Sequence, residues 1–178
     1  MIKKLGSGAS LALVLGLLYA TPGYSQANPK LSDPEIASVA VVANQNDIGY
    51  AEIAQKKSKD AEILKFAQTM SNDHKAVIAQ AVALVKKLNV TPKDNAVSQK
   101  LLADAAKERK SLEGMSGKAF DKAYIDNEVA YHKAVISAVE GLLVPQAQNA
   151  ELKGLLQKVV PTLKAHLAHA EMVQSNLK

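Results

Sequence analysis

The stretch "KSKDAEILKFAQTMSNDHKAVIAQAVALVKKLNVTP", Lys57 to Pro92, decides the fold. Ile63, Phe66, Met70, Val77, Ala81, Leu84 and Leu88 recur in it at three- and four-residue steps, the spacing of one helix face. Asn89 to Pro92 stop that helix. The "KSKD" before it leaves room only for a tight reversal, so the preceding helix must lie antiparallel to this one.

The preceding helix opens at "LSDPEIASVA", where Ser32 or Asp33 can cap free amides and Pro34 suits the first turn. Its apolar ladder runs through Ile36, Val39, Ala43, Tyr50 and Ala54. Downstream, "VTPKDNAVS" reads as a linker, followed by a shorter helix over about Val97 to Leu112 with Leu101, Leu102 and Ala105 inward. After "GMSGKAFD" a long helix is expected over about Phe120 to Leu143, with Tyr124, Tyr131, Val135, Val139 and Leu142 inward. "VPQAQNA" ends it, and a last helix spans about Glu151 to Asn176 through Leu152, Leu156, Val159, Leu163, Ala170 and Val173. Pro161 lies inside that helix, where a missing amide predicts a local bend. The fold class is therefore all-α: two helical hairpins joined by a long connection that carries a short extra helix, a four-helix bundle.

The N-terminus has the three-part plan of a secretory signal peptide: Lys3 and Lys4, the short apolar run Ala9 to Ala20, and small residues at Ser25 and Ala27. The apolar run is short for a membrane span. With no cysteine in the chain, a lipid-anchored lipoprotein is excluded and no disulfide can staple the fold. Residues 1–27 are read as the signal and 28–178 as one domain, periplasmic or secreted, with no stable membrane span after cleavage. Loss of the two lysines lowers the formal charge from +5 to +3, a small and scattered surplus. With only 4% aromatic residues and no tryptophan, the chain offers no stacking platform, and no nucleic-acid partner is expected.

Each long helix interrupts its apolar seam near the middle: Asp47 in the first, His74 in the second, Glu128 and His132 in the third, His166 in the last. Suppose the connection from Val90 to Gly117 crosses the whole bundle. At 1.5 Å per residue, Asp47 and His74 then lie about 17 and 23 Å from one turn, and His132 and His166 about 18 and 25 Å from the turn at the opposite end. In a bundle about 40 Å long, all four fall in one central slab about 8 Å thick. Three imidazoles with a carboxylate from Asp47, Glu128 or Asp73 are a ligand set for zinc, copper or iron. The other reading is a buried polar network in which the histidines bond Tyr50, Tyr124, Tyr131 and the carboxylates to fix helix register. His169 sits one turn beyond His166, nearer the seam edge, and is the weakest candidate ligand. Asp121, near the start of its helix, reads as a charge favouring the dipole. No nucleophile elbow, phosphate-binding glycine loop or zinc-protease pair is present, so no catalytic motif is complete.

The segments "FAQTMSNDHKAV", "FDKAYIDNEVAYHKAVI" and "LLQKVVPTLKAHLAHA" resemble the secreted bacterial proteins of domain-of-unknown-function family 4142, over about Ser32 to Leu177. The family pattern is matched here by Asp73 and His74, by Phe120, Asp121 and Tyr124, by His132, and by Pro161 and His166. The resemblance implies a ferritin-like bundle, and so a crossing connection, but no reaction. The four-carboxylate di-iron pattern is missing, since Ser71 and Val129 stand three residues before His74 and His132. Three roles follow: an exported metal-binding protein, a structural or stress-related envelope protein without metal, and a ferritin-like oxidase, which the missing carboxylates disfavour. If the signal is cleaved as read, N-terminal sequencing of exported protein finds Asn28 first; a full-length, membrane-retained product contradicts it.

Overall fold

A computed structural model describes residues 29–177, so the expected signal sequence lies outside the described residues. Regular structure among the described residues is entirely helical. The helices are α1 (Asp33–Lys57), α2 (Ala61–Lys87), α3 (Ala96–Glu113), α4 (Gly117–Ala138), the three-residue α5 (Val144–Gln146) and α6 (Ala150–Asn176), with a π-helical turn at Val139–Leu143 between α4 and α5.

Local chemistry sets these boundaries. Ser32 caps α1, its backbone amide and hydroxyl both donating to Glu35 Oε2 at 2.9 and 2.6 Å. Asp60, Asn95 and Asn149 each accept two amides from the first turns of α2, α3 and α6. The C-terminus of α2 closes on Asn89, with φ at +52°: Asn89 N–H donates to Lys86 O and Val90 N–H to Val85 O. Asparagine is among the few residues that adopt this left-handed turn readily, which is why "LNV" stops the helix.

The hydrogen bonds at the helix ends fix the topology. At one end, both oxygens of Asp33 in α1 accept the amides of Gln148 and Asn149 just ahead of α6. There too, Lys93 N–H donates to Pro34 O and Asn95 Nδ2 to Glu35 O, bringing the end of α2 and the start of α3 to the start of α1. At the other end the Lys57 ammonium donates to Glu113 O and covers the Phe120 ring, while Asn176 Nδ2 donates to Glu62 Oε2. Helices α1, α3 and α6 therefore run one way and α2 and α4 the other. The connection from α2 to α4 crosses the full length, and α3 is the segment that crosses.

Helix α1 packs against α2, α3 and α4, and α4 and α2 both pack on α6. Two apolar cores result. One joins Ala54, Ile63, Phe66, Met70, Leu112, Phe120, Tyr124 and Val173; the other joins Ile36, Val39, Ile136, Leu143, Leu152 and Leu156. The polar residues of the seams lie between them.

Three details depart from the sequence reading. Leu102 is exposed, because α3 is a cover on α1 and buries only Ser98, Ala105 and Leu112. The buried face of α4 runs through Val129, His132, Ile136 and Val139, so Val135 turns to the side, where it lines a cavity. The long helix does not stay α to Leu143: it widens into the π turn ahead of Pro145, which has no amide to continue the ladder. Helix α6 contains Pro161 within its continuous span.

Phe66 is fully buried where α2 meets α4 and α6, stacking edge-on to Tyr124. Phe66→Ala is expected to lower unfolding free energy by about 3–5 kcal/mol. Urea denaturation measures this, and a loss under about 1 kcal/mol contradicts the packing of this core.

Candidate metal centre

Four helices each deliver ionisable groups to the layer between the two cores. Asp47 comes from α1, His74 from α2, Glu128 and His132 from successive turns of α4, and His166 from α6; all five are buried. The three imidazole rings form a near-regular triangle, with centroids 5.7 Å apart for His74–His132, 5.3 Å for His74–His166 and 5.6 Å for His132–His166. Asp47 Oδ2 lies 3.4 Å from His74 Nε2 and 3.7 Å from His132 Nε2. Glu128 Oε2 is 3.5 Å from His132 Nδ1.

One nitrogen of each ring is anchored, and the anchor fixes the tautomer. Asn44 Nδ2 donates to Ala40 O, which turns Asn44 Oδ1 toward His74; His74 Nδ1–H donates to it at 2.7 Å. His132 Nδ1–H donates to the Glu128 carbonyl at 3.0 Å, and His166 Nε2–H to Asp73 Oδ2 at 2.9 Å. All three acceptors are oxygens, so in the neutral ring the opposite nitrogen is the one that carries the lone pair. Those nitrogens, His74 Nε2, His132 Nε2 and His166 Nδ1, are buried with no hydrogen-bond partner. Both oxygens of Asp47 and both of Glu128 are in the same condition. The Tyr124 hydroxyl approaches Glu128 but outside hydrogen-bond geometry.

Burial dominates the electrostatics. It pushes Asp47 up to about 8 and holds Glu128 well above the usual carboxylate range, the Asp47 charge adding to the effect on Glu128. It lowers His74 to about 3, helped by His132 and His166. It lowers His132 to about 4, against the opposing pull of its bond to the Glu128 carbonyl. Without a cation His74 and His132 are held neutral beside carboxyl groups that retain protons.

A divalent ion fits this arrangement. His74, His132 and His166 each offer a ligand atom within 4.8 Å of the others, and Asp47, Glu128 and His132 form a second such group. A cation would engage the lone pairs and compensate the carboxylates, and a ring N–H tied to an oxygen is the usual support of a metal-binding histidine. The hydrogen-bonded network the sequence left open is present in part: His166 bonds the Asp73 carboxylate, while Tyr131 donates to the Ala43 carbonyl. Asp73 reaches only His166, as its anchor, with nearly half of its side chain exposed. His169 stays outside the triangle, its ring edge-on to Phe66 at 5.1 Å.

Sequence reasoning missed Asn44 and Asn127. Asn44 stands three residues before Asp47 on α1, a spacing that shares a face and was the available signal. Asn127 was masked by its neighbour Glu128; its Nδ2 is also buried without a partner. A cavity of about 530 Å³ opens beside the layer, walled by Val39, Val77, Ile78, Leu84, Val135 and Leu156 and reaching Asp47, Asn127 and the three histidines.

The fold and site define an all-helical domain with a buried imidazole–carboxylate cluster between two apolar cores. The chain belongs to the family described as domain of unknown function (DUF4142), whose family model matches residues 20–173. No curated protein and no solved structure matches it.

The anchors make a prediction that needs no metal. Nitrogen-15 NMR of metal-free protein at pH 7 is expected to show His74 and His132 protonated on Nδ1 and His166 on Nε2. His74 and His132 are expected to remain neutral at pH 5. The opposite tautomer at two of the three contradicts the geometry.

Proposed function

We propose that this is an exported, ferritin-like helical protein that holds one divalent transition-metal ion through His74, His132 and His166, with Asp47 as the oxygen ligand. The observation that carries the reading is the set of three buried imidazoles, each with its N–H tied to oxygen and its lone pair unpartnered. Imidazole-rich donors favour zinc or copper over magnesium, which keeps oxygen ligands and water. Export rests on the signal pattern of residues 1–27. The ferritin-like arrangement is supported by the two antiparallel pairs and the crossing α3. The role is binding: the ion, when held, would supply Lewis acidity, and the chain's residues supply a dry, shaped environment for it.

The ion is expected to bind at one per chain in calorimetry of untagged residues 28–178, and to raise the melting temperature. His74→Ala, His132→Ala or His166→Ala removes the shift, whereas His169→Ala leaves most of it. No uptake by the wild type, with His166→Ala equally destabilising with and without zinc, makes the histidines structural instead.

The sign of the pH dependence is a separate check. In metal-free protein, His74 and His132 take up protons more readily when unfolded, so they make stability rise with pH from about 4 to about 6.5. Asp47 and Glu128 act oppositely, because the folded state retains their protons after the unfolded state has lost them. Only the carboxyl effect remains above pH 6.5, so metal-free stability is expected to fall between pH 6.5 and about 8. Zinc affinity should rise over that window, since binding displaces the carboxyl proton. Chemical denaturation at several pH values, with chelator or with zinc, measures both slopes.

A further inference from the structure

A single ion explains the polar layer and leaves the cavity beside it unexplained. At about 530 Å³ the cavity is within the range of small-molecule sites. Its wall is aliphatic and is built on the second half of α2, where Val77, Ile78, Ala81, Leu84 and Val85 are only half-buried although they continue the seam of the fully buried Ile63, Phe66 and Met70.

The polar end of the cavity is short of hydrogen-bond partners. His74 Nε2, His132 Nε2, His166 Nδ1 and both oxygens of Asp47 are buried without one, and among the described lining residues Asn127 Nδ2 is the unpartnered amide donor. The acidic residues Asp104 and Glu108 stand among the lining groups contributed by α3. A carboxylate head would set its oxygens against lone pairs. A hydroxyl brings one hydrogen. A primary ammonium brings three, and its positive charge favours the ionised form of Asp47 that burial alone disfavours.

We propose that the cavity binds a linear aliphatic primary amine, its ammonium among Asp47 and the three imidazole nitrogens and its chain along the α2 wall. The proposal does not rest on the metal reading, because the ion and the ammonium draw on the same acceptor atoms and exclude one another. Chelator-treated protein therefore tests it alone.

The probes are decylamine, 1-decanol and decanoate, titrated below their aggregation limits into metal-free residues 28–178 and followed by calorimetry and chemical-shift mapping. Decylamine is expected to bind at one per chain, roughly tenfold or more tighter than decanol, the difference that charge-assisted hydrogen bonds typically provide. Decanoate is expected to bind most weakly. Asp47→Asn should bring decylamine down to the level of decanol, and Ala81→Phe, which fills the α2 wall, should weaken both. Circular dichroism confirms that each variant is folded; His166→Gln replaces Asp47→Asn if that variant is not. Equal affinity for decylamine and decanol, tighter binding of decanoate, or no binding by any probe overturns the proposal.

Discussion

Four helices bury ionisable side chains at one level, and the rest of the structure is arranged around keeping them there. Unpaired buried polar groups oppose folding, each by about 1–3 kcal/mol when a partner is missing. Here seven nitrogen and oxygen atoms from Asp47, Glu128 and the three histidines lie in that condition within one layer. Two apolar cores, one on either side, supply the compensating burial. Phe66, Phe120, Tyr124 and Ile125 are wholly shielded in one, and Ile36 in the other. In the proposed function, a cation fills these unpaired positions.

Helix α1 has the most demanding position. Lying against α2, α3 and α4, it buries Ile36, Ala37, Ser38, Val39, Val42, Asn46, Asp47, Tyr50, Ala51, Ile53 and Ala54, more than one stripe can provide. Its small residues permit this. Gly49 sits where a Cβ would come within 3.2 Å of the Arg109 guanidinium of α3. Asn46 spends its amide on the Leu101 carbonyl at 3.1 Å, joining the same two helices. The crossing segment is thus a cover that keeps the Asp47 region dry as well as a tether. The second half of α2 lacks such close packing, and the cavity forms along it.

Much of this was legible in the sequence because periodicity reports faces. Ile63, Phe66 and Met70 mark the inward stripe of α2, and the interruptions at Asp47, His74, Glu128, His132 and His166 lie on the stripes of their helices. The equal heights followed once the connection was taken to cross. What periodicity does not report is a second covered side, which is why the burial of α1 beyond one stripe was unexpected and Leu102 was placed inward. Nor does it distinguish a packed stripe from a cavity wall: Val77, Ala81 and Leu84 have the right spacing and are only half-buried. The anchors were hidden for a different reason. Asn44, Asp73 and the Glu128 carbonyl act through hydrogen-bond geometry, which a residue pattern does not encode. The π turn at Val139–Leu143 depends on backbone adjustment near Pro145 and leaves no trace in side-chain spacing.

The most direct measurement is X-ray absorption at the zinc edge of protein loaded with one equivalent and freed of excess ion. Scattering from three imidazoles and one oxygen, at about 2.0–2.1 Å from zinc, is the result expected of His74, His132, His166 and Asp47. A spectrum with oxygen neighbours alone, unchanged in His132→Ala protein, would contradict a metal centre in this layer.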